Sequence, residues 1–137
     1  MKLVVCCLIL FSGLTVSAQD KMIYKYRAFE SLFYDPQSHV NLNSATWNKT
    51  NILVTVDLNK QRITVYAAAE QEIDLIGNLP DKTSDDASWI RKVGVDQDGV
   101  KCNVEVQFFK NIVDEHICTL YLEYKDFHYL YRLKSND

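Results

Sequence analysis

Between Val100 and Phe108 every second residue is apolar: Val100, Cys102, Val104, Val106 and Phe108 alternate with Lys101, Asn103, Glu105 and Gln107. A period of two puts successive side chains on opposite faces of a strand, so this segment must bury one face and wet the other. The same alternation recurs along most of the chain. Ile52, Val54, Val56 and Leu58 share one face, Ile63 and Val65 another after a turn at Asn59-Lys60-Gln61. Cys118, Leu120, Leu122 and Tyr124 align, and so do Phe127, Tyr129, Tyr131 and Leu133. Further strands are expected at Trp89 to Val95, at Glu72 to Ile76 and, less cleanly alternating, at Met22 to Tyr34. Asp98-Gly99 carries a hairpin signal and Lys125-Asp126 makes a short link. No stretch has helical spacing; Tyr66 to Asp74 could form a turn or two at most.

About eight strands joined by short turns describe an all-β, antiparallel meander. Curling into an up-and-down barrel or half-barrel buries the apolar faces and removes sheet edges, whereas long Greek-key crossings are missing. A β-sandwich would bury the same faces and is the alternative. The inward face is expected to include Val54, Val56, Ile63, Val65, Trp89, Val93, Val104, Leu120, Leu122 and the Phe127-Tyr129-Tyr131 stripe. An outer-membrane barrel would need an outward apolar band, and the second face instead carries Lys101, Asn103, Glu105, Gln107, Thr119 and Glu123. Two segments break the rhythm: a polar stretch from Asp35 to Asn51 and an acidic loop from Pro80 to Ser88. A connection as long as the first either hides a short element or serves function.

The chain opens with Met1-Lys2, an apolar run from Leu3 to Leu14, and Val16 and Ala18 at the positions a signal peptidase reads. The run is shorter than the roughly 20 residues of a membrane-spanning helix. Residues 1–18 are therefore expected to be a signal peptide cleaved between Ala18 and Gln19, leaving residues 19–137 as one exported domain, periplasmic or extracellular. Cys6 and Cys7 fall inside the apolar run, too early for a lipobox, and read as filler. Cys102 and Cys118 remain, and in an oxidising compartment they form a candidate disulfide. Register complicates this, because a hairpin centred near Ile112 sets Cys102 opposite about residue 122, so a bridge needs a shifted turn or a bulge.

With 18 acidic against 15 basic residues the net charge is −3, and removal of Lys2 makes it more acidic. That argues against nucleic acid as a partner, and no basic amphipathic helix suggests membrane insertion after cleavage. No cofactor motif is visible. Asp96-Gln97-Asp98-Gly99 resembles the start of a calcium loop but lacks the later ligands, and fits a hairpin turn. Asp81, Asp85 and Asp86 read as solvated loop charge. His39, His116 and His128 show no metal spacing and no accompanying nucleophile elbow, so no catalytic or metal residue is assigned. Asn48-Lys49-Thr50 is a glycosylation sequon. The aromatics are the most suggestive feature: Trp47, Trp89, Tyr121, Tyr129 and Tyr131 are the candidate ligand or interface residues.

The hairpin from Ile52 to Tyr66, the Asp96 to Cys102 segment and the closing Leu120 to Asp126 with Tyr129 and Tyr131 resemble small secreted β-proteins of gut bacteria and their phages. The resemblance spans residues 47–133 and implies a similar fold without implying an activity. More remotely, the strand count is similar to calycin-type barrels, although the Gly-x-Trp signature of lipocalins is missing. The expectation is a non-enzymatic secreted module that binds a small apolar or sugar-like ligand at a barrel mouth near Trp47. The alternative is a protein-interaction or inhibitor module using an exposed edge or the aromatic hairpin from Tyr121 to Tyr131.

Overall fold

The computed structural model describes residues 22–42, 44–113 and 116–136; the expected leader and its cleavage site at Ala18 and Gln19 lie outside them. The chain forms β1 (Ile23–Tyr34), β2 (Asn48–Asp57), β3 (Arg62–Val65), β4 (Gln71–Asn78), β5 (Lys82–Thr83), β6 (Ala87–Asp96), β7 (Lys101–Val113), β8 (His116–Glu123) and β9 (His128–Ser135). Eight of these run β4-β3-β2-β1-β9-β8-β7-β6, every neighbour antiparallel, and β4 pairs with β6 to close the ring. The fold is thus a closed up-and-down barrel, and the sandwich alternative falls away. The two-residue β5, inside the acidic loop, adds to the free side of β6. That short strand was not expected.

The alternation explains the interior. Val54, Val65, Ile73, Val104, Leu120 and Leu122 are almost wholly buried and pack across the waist with Ala28, Ile63 and Leu133. Burial of such side chains contributes roughly 1.5–3 kcal/mol each. Two irregularities adjust the wall. A bulge at Phe29 separates the pairs Ala28↔Leu133 and Glu30↔Arg132, so the inward phase of β1 changes from Ala28 to Ser31 and Phe33. Another shift between Leu75 and Gly77 turns Asn78 toward the interior opposite Lys92.

The ladder corrects the reading of β6. Gly94 lies opposite Cys102, Lys92 opposite Val104 and Ile90 opposite Val106, so Ile90, Lys92 and Gly94 face inward. Trp89, paired with Gln107, and Val93, paired with Asn103, face outward. The apolar character of Trp89 and Val93 favoured the wrong phase because this strand is mixed on both faces.

The cysteines are not bridged: both are free and buried. Cys118 pairs with Phe108 on β7, and Cys102 lies six residues farther along that strand, roughly 20 Å at a strand's rise. A disulfide needs Cα atoms within about 7 Å. Both residues do lie on the inner face as expected, but at different heights in the barrel.

Candidate functional site

The filled waist leaves two mouths. At the end bearing the β2–β3 turn, a cavity of about 490 Å³ opens among Tyr24 and Tyr26 of β1, Val56 and Leu58 of β2, Leu75 of β4, Ile90 and Lys92 of β6 and Val106 and Phe108 of β7. Val54, Ile63, Cys118, Leu120 and Leu133 form its floor. The rim is apolar yet wet: Tyr24 is 49% exposed, Ile90 42% and Leu58 39%. Burial raises the Tyr26 phenol above its ordinary range, with Cys118 adding to the effect. Burial alone pushes the Cys118 thiol up to about 12. This end of the interior is therefore hostile to anions formed by its own side chains.

Besides the Tyr24 and Tyr26 phenols, Lys92 and Gln61 bring polar groups to this apolar cup. Lys92 donates through Nζ to Asn78 Oδ1 across the β4–β6 seam. Gln61 holds a left-handed backbone (φ 52) in the β2–β3 turn and donates through Nε2 to Leu58 O at 2.7 Å. Its carbonyl accepts from Leu75 N at 2.8 Å, which ties the turn to β4. Asp57 Oδ1 caps the same turn by accepting from the amides of Asn59 and Lys60. One side of the rim is thereby braced by hydrogen bonds, and a non-glycine residue held at positive φ is a feature that often accompanies function.

The opposite mouth is aromatic. Phe33 meets Tyr129 at 4.9 Å and Phe127 at 5.5 Å between ring centroids, and Tyr124 joins Phe127 at 5.5 Å. A depression of about 480 Å³ lies over Tyr124, Phe127 and Tyr129, bordered by Ala67, Ala68, Ala69, Gln71 and the Asp96–Asp98 turn. Its polar groups already serve one another. Asp96 Oδ1 accepts from the amides of Asp98 and Val100, and Oδ2 accepts from the Tyr124 hydroxyl at 3.0 Å. The Tyr131 hydroxyl donates to Gln71, while Gln97 donates to Glu70 O and accepts from Glu72 N. A sugar needs hydrogen-bonding groups with spare capacity, and here much of that capacity is spent holding three turns together.

A polar cluster occupies the convex wall. Arg91 Nε contacts Glu105 at 2.7 Å, Glu123 lies 3.8 Å from His128 Nδ1, and that nitrogen is 3.2 Å from the Tyr34 hydroxyl. Burial raises Glu123 above the usual carboxylate range, and neighbouring Glu105 raises it further. Burial lowers His128. The three histidines do not converge: His39 is exposed in the loop after β1, and His116 packs between Phe29 and Phe109 on the outer wall. Among the described residues no group of three His, Cys, Asp or Glu side chains could hold a metal.

The five aromatic candidates do not form one site. Trp47 lies against the Arg132 guanidinium, 4.0 Å from its ring, and Trp89 lies under Lys82 at 4.8 Å. Both decorate the outside of the wall: Trp47 stands at the aromatic end, just before Asn48, which pairs with Ser31, and the apolar cavity lies at the other end. Tyr121 also faces outward, donating to Gln107 at 2.8 Å, while Tyr129 and Tyr131 face the aromatic mouth. The β8–β9 hairpin offers no edge, since β8 pairs with β7 and β9 with β1. Sequence reasoning missed Tyr24, Leu75, Ile90 and above all Lys92. A usable signal was present: counting back across the Asp96–Gly99 hairpin from Cys102 places Lys92 beside Val104.

No family model, curated protein or solved structure matches the chain.

Proposed function

We propose that the chain is a non-enzymatic secreted binding module that holds a small apolar ligand in the cavity beside the β2–β3 turn. One observation carries this reading: a closed wall surrounds a cavity of about 490 Å³ whose rim leaves Tyr24, Leu58 and Ile90 substantially wet. That volume falls within the range of small-molecule sites, and covering those side chains would return apolar surface from water. The aromatic mouth is a poorer receptor because its rings pack against one another and its polar groups are already paired.

Titration with the neutral fluorescent probe N-phenyl-1-naphthylamine tests the reading. The protein should bind the probe with enhanced emission, and Val106→Trp, which fills the cavity from β7, should weaken binding at least about tenfold, the equivalent of roughly 1.4 kcal/mol. Thermal unfolding of the variant checks that the barrel persists. A protein that ignores the probe, or a folded Val106→Trp variant that binds it as before, would sink the proposal.

A further inference from the structure

Strand alternation gives a cation an unusual position. Most partnered cationic groups of the wall look outward: Arg62 pairs with Asp74 and Glu72, Arg91 with Glu105, Arg132 with Glu30, Lys82 with the Trp89 ring and Lys134 with the Phe29 ring. Lys92 is the charged side chain lining the apolar cavity, placed between Ile90 and the Val104–Val106 wall by its pairing with Val104. Among the described residues no carboxylate forms an ion pair with it. Its hydrogen bond to Asn78 uses one of three ammonium donors.

We infer that the ligand is an amphiphilic anion, its apolar body in the cavity and its carboxylate or similar head group on Lys92. This rests on the binding reading above and specifies the ligand class. The cavity walls supply no competing anion, and the ammonium stands at the solvent-exposed rim beside Asn78, where a head group can reach it while the apolar body stays in the cup. Asn78 braces the ammonium from β4, so part of the cost of ordering a long side chain is met before binding. Tyr24, Tyr26 and Gln61 line the same space and carry further hydrogen-bond donors. A lysine that merely snorkels to water along apolar surface would make no distinction between charged and neutral ligands.

Competition against bound N-phenyl-1-naphthylamine separates these cases. Decanoate and decanol share a body and differ in the head. The full chain should bind decanoate about tenfold or more tightly than decanol, as expected for a charge-assisted hydrogen bond. Lys92→Gln should erase that preference by weakening decanoate while leaving decanol within about twofold, and Lys92→Arg should keep it, since the cation is retained. Equal displacement by the two ligands, or an unchanged preference in a folded Lys92→Gln variant, overturns the anionic assignment while leaving the cavity reading intact. Failure of the probe to bind at all overturns both.

Discussion

Gly94 sits on the inner face of β6, where a side chain would have to enter the most crowded part of the waist. A Cβ built there would stand 2.5 Å from Ile73 Cγ2, 3.1 Å from Val104 Cγ2 and 3.4 Å from Cys102 Sγ. The first distance is shorter than packed carbon atoms tolerate, and the atoms involved belong to short, buried side chains that have little room to move. The glycine is thus required by close approach rather than by backbone freedom. Gly94→Ala is expected to destabilise the protein by about 1–3 kcal/mol, the usual range for overpacking. Combined with Ile73→Ala, itself a core truncation costing about 2–5 kcal/mol, the total loss should fall short of the sum of the two, because the clashing methyl is gone. Urea unfolding of the single and double variants measures the coupling, and strictly additive losses would show that the contact with Ile73 is not the cause.

The register of β7 on β8 decides the chemistry of the two thiols. With Phe108 opposite Cys118, Cys102 falls nearer the other end of the barrel. Burial pushes the Cys102 thiol up to about 11, partly offset by a hydrogen bond with Tyr124, and the Cys118 thiol higher still. A raised thiol pKa means the protonated, unreactive form prevails up to strongly alkaline pH. Iodoacetamide at pH 8 should therefore leave both cysteines unmodified in the folded protein and label both after denaturation without reductant. A mass 2 Da lower than the dithiol, with labelling only after reduction, would contradict the register. The eight barrel strands were legible because segments such as β7, β8 and β9 alternate cleanly, and turns such as Asp98-Gly99 marked their ends. Lys92 was not legible as a site residue: on β6 both faces carry apolar groups, so hydrophobicity could not choose the phase, and only pairing across the turn does. Trp47 misled for a related reason, since a large aromatic can pack beneath a cation on an outer wall, here Arg132, as well as line a mouth.

The seam of the ring with the longest reach in sequence joins β1, near the start of the described chain, to β9, near its end. Leu130 lies in the middle of that wall, opposite Leu32 on one side and Tyr121 on the other. Although its side chain is on the outer phase of β9, it is fully buried, as Leu32 nearly is. The seam is therefore held from both faces: by the waist within and by this outer apolar pair. Proline at position 130 would remove a ladder donor and a buried side chain together, at an expected cost of about 3 kcal/mol or more. That is a large part of the 5–15 kcal/mol by which domains are ordinarily stable. Opening the seam would expose β1 and β9 as unpaired edges, which the closed ring otherwise avoids, apart from the two-residue β5. Leu130→Pro should thus lower the unfolding midpoint and form concentration-dependent oligomers, whereas Leu130→Val keeps the donor and should remain monodisperse. Size-exclusion chromatography over a range of concentrations reads this directly. If Leu130→Pro elutes as the parent does and unfolds at the same denaturant concentration, the β1–β9 seam is not what holds the barrel closed.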